Sequence, residues 1–176
     1  MTYYPQVDEW LIPEEALSLS FQEMARDGLR GNEGIALWLG ERKGGHATVS
    51  HVLALRGRGV IKRPDFLSIS PDYMNAITDF AIGQDLVLVG QIHSHGPLHG
   101  VNLSPTDTQF GVQVPGYLSI VAPDYALRPP QGVDYCGVHV FDFGQGYRRL
   151  SLAEVVQRVK VTKGPAVRMS VVRGNS

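Results

Sequence analysis

The sequence has one cysteine, no long hydrophobic run and almost no net charge, and each shortage excludes a class of protein. Cys136 cannot form a disulfide within the chain, and a zinc site built from several thiolates is excluded. The longest unbroken run of aliphatic and aromatic residues has five members, Ile35–Leu39, whereas a membrane span needs about 20. The 16 lysine and arginine residues balance 17 aspartate and glutamate residues, which argues against nucleic acid as a partner.

The composition favours one folded domain. The chain has 176 residues, and 43% of them are hydrophobic and 19% charged, so a core can form. Its first residues, MTYYPQVDEWLIPEE, are acidic and lack the layout of a secretory signal, so we expect a cytoplasmic protein that does not bind membranes. From Arg148 onward there are seven basic residues and one acidic residue. We predict a single domain over 1–176, with its core at about 14–160 and a basic extension at 161–176.

Strand and helix signals alternate irregularly along the chain. Prolines and carboxylates at helix starts predict helices from Pro13 to about Asp27, after Ser70 and after Ser104, and a closing helix covers 152–159. Lys43-Gly44-Gly45 predicts a β-hairpin turn. Apolar segments predict strands at 34–39, 48–55, 66–69, 86–95, 117–122, 135–143 and 147–150. This order is typical of an α+β or mixed α/β fold around one mixed sheet.

A group of potential metal ligands follows the strand predicted at 86–95. His93 and His95 are two residues apart, so on a strand both imidazoles project from the same face. Asp107 lies in the first turn of the helix that follows Ser104, from which its carboxylate can reach the histidines. Two histidines and a carboxylate leave the fourth position of a tetrahedral site open, as in catalytic zinc centres, where bound water has a pKa of about 7.

Each half of this pattern also has an ordinary structural explanation. A His-x-His pair occurs by chance, and such a histidine is usually a hydrogen-bonded strand residue. Ser104-Pro105-Thr106-Asp107 is by itself a helix cap. The two halves together, joined by a short polar loop directly after an apolar strand, favour a metal site.

The combination resembles the JAMM/MPN+ zinc metalloprotease family, whose motif is an upstream Glu, then His-x-His-Pro, a short loop and Ser-x-x-Asp. The resemblance implies that His93, His95 and Asp107 bind one Zn²⁺ per chain and that Ser104 holds the oxyanion. It implies that Glu33 is the general base, with Glu41 as its rival on the same segment. Here the proline follows Gly96, one position late, and the loop to Ser104 has eight residues where the family usually has seven.

The resemblance also implies a fold and an activity. The fold would be an MPN/JAB domain, a cytidine-deaminase-like three-layer sandwich, of the bacterial and archaeal single-domain type. The activity would be an isopeptidase or peptidase that cuts after the C-terminal glycine of ubiquitin or a ubiquitin-like protein. Its partners would include E1-like and E2-like proteins of a conjugation or antiphage operon. Two alternatives stay open: a zinc peptidase that processes a sulfur-carrier protein, and a non-catalytic MPN assembly module.

Other polar residues have weaker claims to a function. His99 lies in the motif loop, and Arg56 and Arg58 belong to a basic stretch that we expect between strands, so these three are minor candidates for substrate binding. We expect Cys136 to be a buried, inert thiol. The remaining strand histidines have no carboxylate at ligand spacing and are interpreted as structural: His46, His51 and His139.

Overall fold

The computed structural model describes residues 4–174, which form an α+β fold with four α-helices and eleven strands. The α-helices are α1 (Glu14–Gly28), α2 (Pro71–Gly83), α3 (Pro105–Phe110) and α4 (Leu152–Arg158). The strands are β1 (Glu9–Pro13), β2 (Ile35–Lys43), β3 (His46–Arg56), β4 (Val60–Arg63), β5 (Phe66–Ile69), β6 (Val87–Ser94), β7 (Leu118–Ala122), β8 (Gly137–Asp142), β9 (Gly146–Arg149), β10 (Val159–Thr162) and β11 (Arg168–Arg173). None of the helices in this part of the chain is both long and apolar enough to cross a membrane.

Nine of the strands form one mixed sheet in the order β10-β1-β3-β2-β6-β7-β8-β9. The ninth, β11, pairs with β3 beyond the stretch of β3 that β1 covers, so β1 and β11 share one edge of that strand. Strands β2 and β3 are antiparallel, and β6 runs parallel to β7. Strands β4 and β5 pair only with each other and form a separate ribbon. Strand β6 therefore lies near the middle of the sheet, between β2 and β7.

The sheet is covered on both faces, which gives three layers. Alternate residues of β2 point in opposite directions: Trp38 belongs to the core that includes α1, and Leu37 belongs to the core that includes α2. Both side chains are almost completely buried. The α+β mixed-sheet fold that the sequence predicts is thus confirmed.

Local sequence signals explain where several elements begin. Ser70 caps α2, because its hydroxyl accepts a hydrogen bond from the Tyr73 backbone N–H. The hairpin turn between β2 and β3 uses Gly44 and Gly45, whose φ angles of +58° and +80° suit glycine and match the twist of the two strands. Both features were expected from the sequence.

Four strands were not expected: β1, β4, β10 and β11. The basic stretch that we placed between strands contains β4, so that expectation is wrong. The residues from 159 onward include β10, which pairs with β1, and β11, which pairs with β3. Strands β1, β10 and β11 pair with strands far away in the chain, and β4 has only four residues, two of them charged, so no local pattern marks the four.

Candidate metal centre

The two histidines lie where β6 ends between its neighbours. His93 pairs with Ile35 of β2 on one side and with Val121 of β7 on the other. His95 follows the last residue of β6, and its backbone N–H donates to the Ala122 carbonyl at 2.9 Å. Both side chains are buried. The middle of the sheet thus holds both imidazoles in place.

Three side-chain atoms converge at this point. His93 Nε2 lies 3.2 Å from His95 Nε2, and the Asp107 Oδ2 atom lies 3.4 Å from the former and 3.3 Å from the latter. Donor atoms about 2.0–2.1 Å from a tetrahedral metal ion stand roughly 3.3–3.4 Å from one another. The three atoms therefore have the spacing of one face of such a coordination sphere, and these residues could hold a metal ion.

Hydrogen bonds fix the orientation of two of the three ligands. His95 Nδ1 lies 2.7 Å from the Gly100 carbonyl oxygen, so Nδ1 carries a proton and Nε2 faces the cluster, where it either donates a second proton to Asp107 or offers its lone pair. The Ser104 backbone N–H donates to Asp107 Oδ2 at 2.8 Å. Lone pairs that converge in this way repel each other unless a positive charge lies among them.

The acid–base properties of the cluster agree with that requirement. Burial alone would raise the pKa of Asp107, but the hydrogen bonds from His93 and His95 hold it well below its usual range. Burial alone would lower the pKa of His95, but its hydrogen bond to Asp107 raises it overall. The site therefore stabilises positive charge, either as a proton or as a metal ion.

Glu33 lies beside the cluster and is not one of the three converging donors. The next residue, Gly34, donates its N–H to Ser94 Oγ at 2.9 Å and accepts from the Ser94 N–H at 3.0 Å, which places Glu33 next to the histidine pair. Its side chain is 5% exposed. Burial raises the pKa of Glu33 to about 7, with His95 lowering it and Asp107 raising it further. Such a carboxyl can accept and release a proton near neutral pH.

The rival carboxylate is not brought to the site. Glu41 is exposed and lies towards the opposite end of β2, near the residues that pair with the start of β6. The two acidic residues of this segment therefore differ in burial and in distance from the histidines. Of the two, only Glu33 lies beside the histidine pair, and its role as general base stays a prediction.

Ser104 caps α3 and holds the carboxylate ligand. Its hydroxyl oxygen accepts from the Asp107 backbone N–H at 3.1 Å, and Asp107 returns a bond to the Ser104 backbone, which completes a capping box. The hydroxyl proton of Ser104 is not used in that box. Its role towards an oxyanion stays a prediction.

The minor candidates for substrate binding differ in their surroundings. His99 is exposed, and its ring centroid lies 6.5 Å from that of His95. Arg58 is exposed as well. Arg56, in contrast, makes a bidentate ion pair with the buried Glu23, at 2.9 Å and 2.6 Å. This pair occupies two of the three guanidinium nitrogens of Arg56.

Sequence reasoning missed several groups that position the site. The Ser94 hydroxyl joins β6 to the residue after Glu33, the Gly100 carbonyl orients His95, and the Arg63 carbonyl accepts from the Glu33 N–H at 2.9 Å. The position of Ser94 between the two histidines is the one available signal. The other two groups are backbone carbonyls in loops and turns, where any residue type supplies the same atom.

Among residues 4–174, no other group of histidine, cysteine and acidic side chains has ligand geometry. Cys136 is buried, and burial raises the pKa of its thiol to about 12, which agrees with an inert residue. Burial lowers the pKa of His139 to about 4, so this histidine is neutral at pH 7. His51 is buried against Phe80 and Ser170.

Comparisons with known proteins give one distant sequence relative and a shared fold. No protein-family model matches the chain. The chain is 27% identical over 120 residues to the "Probable metalloprotease y4jG" of Sinorhizobium fredii, a match that covers 67% of this chain and 73% of the relative. That relative is named a metalloprotease. The solution structure of protein DSY2949 from Desulfitobacterium hafniense has a TM-score of 0.61 and 18% identity, covering 88% of this chain and 94% of the other, so the two share a fold.

Proposed function

We propose that the protein is a zinc-dependent metallopeptidase. The observation that carries this proposal is the convergence of His93, His95 and Asp107, whose three ligand atoms lie within 3.4 Å of one another around a point that favours positive charge. The distant relative named as a metalloprotease supports the same reaction class. Two imidazole nitrogens and one carboxylate oxygen suit Zn²⁺ better than Mg²⁺ or Ca²⁺, which prefer oxygen ligands.

The surrounding residues can complete the hydrolysis of an amide bond. His93, His95 and Asp107 would hold the zinc ion, and the ion would supply a Lewis acid that polarises the carbonyl group of the substrate. Glu33 takes a proton from the attacking water and returns it to the leaving amine as the C–N bond breaks, a role that its buried position beside the three ligands favours. The Ser104 hydroxyl donates to the oxygen of the former carbonyl group.

We further propose that the substrate is the tail of a ubiquitin-like protein, cut after its terminal glycine. The reason is the resemblance of the motif to the JAMM/MPN+ family. A supporting argument is steric, because the site lies where β6 ends against α3 and a glycine backbone can approach such a floor closely. Processing of a sulfur-carrier protein is the second candidate, and a non-catalytic MPN assembly module is the third.

A cleavage panel tests both the reaction and the substrate. One ubiquitin-like body carries tails that end in Gly-Gly, in Gly-Leu or in an unrelated sequence before the scissile bond. We expect cleavage of the Gly-Gly tail and a loss of at least about tenfold in kcat/KM for Gly-Leu. Equal cleavage of all tails would contradict the proposed substrate and favour a general peptidase.

A pair of matched variants tests the role of Glu33. Glu33→Gln keeps the shape of the side chain but cannot carry the proton, so we expect full zinc content and a fall of about 10²-fold or more in kcat. Glu41→Gln, on the same strand, should match the wild type in both measurements. Loss of zinc in Glu33→Gln would make this residue a ligand, and a wild-type protein without zinc or hydrolysis would favour the assembly module.

A further inference from the structure

The tip of the β4–β5 ribbon is attached to the body of the protein beside the metal centre. The ribbon lies outside the main sheet, and its tip consists of the turn Pro64-Asp65 together with Arg63, the last residue of β4. Within residues 4–174, two hydrogen bonds join the backbone of this tip to the rest of the protein. The Glu33 N–H donates to the Arg63 carbonyl at 2.9 Å, and the Tyr125 hydroxyl donates to the Pro64 carbonyl at 3.0 Å.

Tyr125 also contacts the segment that carries the metal ligands. Its backbone N–H donates to the His95 carbonyl at 2.8 Å. Its ring lies against Gly96, where an added Cβ would stand 2.6 Å from the hydroxyl oxygen and 2.7 Å from the adjacent ring carbon. The glycine that separates His95 from Pro97 is thus the residue that makes room for this ring.

The position of Tyr125 depends on an unusual turn. Asp124, Tyr125 and Ala126 follow β7 with φ angles of +54°, +55° and +55°, so three consecutive non-glycine residues are left-handed. The end of α1 packs against the same turn, since a Cβ on Gly28 would lie 2.3 Å from the Tyr125 carbonyl oxygen. Contacts with Gly28, Gly96 and the His95 carbonyl therefore fix the position of Tyr125, and its hydroxyl reaches the ribbon tip from that position.

We propose that Tyr125 is a positioning residue whose hydroxyl fixes the ribbon tip, and through it Glu33, relative to the metal ligands. The expected effect on catalysis rests on the proposed function, in which Glu33 is the general base. The backbone of Tyr125 holds His95, while its side chain holds the turn that receives the Glu33 N–H. Tyr125 thus connects Glu33 to the metal ligands. Removal of its hydroxyl breaks the contact with the ribbon tip and leaves the backbone contact with His95 in place.

The test is Tyr125→Phe, with Tyr135→Phe as the matched control because no hydrogen bond of the Tyr135 hydroxyl occurs in the described residues. Amide hydrogen exchange is measured on the metal-free protein. In Tyr125→Phe we expect the Glu33 amide to exchange at least about tenfold faster, while the amides of Ser94 and His95 stay within about twofold of the wild type. The control should change none of them.

Two further readouts separate positioning from general destabilisation. Zinc affinity, measured by competition with a chromophoric chelator, should stay within about twofold in Tyr125→Phe, and kcat should fall about tenfold with KM nearly unchanged. Gly96→Ala, which displaces the ring, should reproduce the faster exchange at Glu33. An unchanged Glu33 amide in Tyr125→Phe would overturn the proposal, as would faster exchange with wild-type kcat. If the wild type hydrolyses nothing, the proposed function fails, and the exchange result still decides whether Tyr125 positions Glu33.

Discussion

Both ring nitrogens of His95 have polar contacts, and this arrangement gives the ring a single orientation. Nδ1 faces the Gly100 carbonyl, and Nε2 faces His93 and Asp107. An imidazole held in this way is ready to bind a metal without losing rotational freedom at the moment of binding.

The first prediction concerns the loss of this ligand. His95→Ala leaves two of the three donors, which is too few for tight binding, so we expect zinc content to fall from about one per chain to near zero by elemental analysis. His46→Ala is the matched control, because His46 is half-exposed and paired with Glu9 at 3.3 Å. Full zinc occupancy in His95→Ala would show that this residue is not a ligand.

A second prediction at this scale follows from the buried carboxyl. Burial raises the pKa of Glu33 from 4.5 to about 7, so between these values the folded metal-free protein holds a proton that the unfolded chain has released. The free energy of unfolding therefore falls as the pH rises through this window. Glutamine does not titrate, so Glu33→Gln should be more stable than the wild type at pH 8, by on the order of 1–3 kcal/mol, and by much less at pH 5.

Urea denaturation of both metal-free proteins at the two pH values measures this difference. Glu41→Gln serves as the control, since Glu41 is exposed and its replacement should leave the stability unchanged at both pH values. A stability gain in Glu33→Gln that is equal at pH 5 and pH 8 would mean that ionisation of Glu33 is not its cause.

At the scale of elements, the two short helices α3 and α4 both begin with a capping box, but only α3 carries a residue of the metal centre. Ser104 and Asp107 form the capping box of α3, and Ser151 and Glu154 form that of α4. Helix α3 has six residues and none of them is buried, so its cap and the Tyr147–Val112 hydrogen bond nearby contribute much of its order. Helix α4 instead contacts β10 and β1, away from the metal centre.

This pair of caps gives the third prediction. Ser104→Ala and Ser151→Ala should each lower the free energy of unfolding by about 0.5–2 kcal/mol, because each loses one N-cap acceptor. Only Ser104→Ala should also lower kcat, by about tenfold or more, because it loses the proposed oxyanion donor. Thermal unfolding and initial rates are measured on both variants, and equal rates would remove Ser104 from the reaction.

The elements that the sequence predicted are those with local signals. The serine caps before α2 and α3, the glycine pair in the hairpin and the apolar run of β6 all lie within a few residues of the structure that they specify. The spacing of His93 and His95 and the cap position of Asp107 likewise predicted that the three side chains meet. Their meeting depends on strand alternation and on one helical turn, which are properties of short segments.

The parts that could not be predicted depend on distant residues. Strand β10 follows α4 without any breaker between them, and its pairing with β1 decides its conformation. The left-handed turn at 124–126 contains no glycine, although such a backbone costs roughly 1–2 kcal/mol per residue. Packing against Gly28 and Gly96 stabilises that turn, and neither contact is visible in the sequence around it.

At the scale of the whole molecule, the side chain of Tyr73 joins helix α2 to the two neighbouring strands β3 and β11. The Tyr73 hydroxyl accepts from the Arg56 N–H at 2.9 Å and lies within hydrogen-bonding distance of the Val172 carbonyl oxygen of β11. Tyr73 itself is 2% exposed, on the face of the sheet that α2 covers. The contact therefore links α2, β3 and β11 in one place.

The fourth prediction tests this link. Tyr73→Phe removes the hydroxyl and leaves buried backbone groups without a partner, so we expect a loss of about 1–3 kcal/mol in the free energy of unfolding by urea denaturation. Zinc affinity should stay close to that of the wild type, because the metal ligands lie on other elements. A variant as stable as Tyr135→Phe would show that β3 and β11 hold together without this hydroxyl.

The pairing of β11 with β3 also bears on how the protein is made. Arg168 pairs with His51, 117 residues earlier in the chain, so β3 is synthesised long before the strand that covers this edge. At roughly 5–20 residues per second, the edge of β3 waits several seconds on the ribosome for its partner. During that interval the second half of β3, which is mostly apolar, has one unpaired edge, and an edge of this kind can pair with another chain.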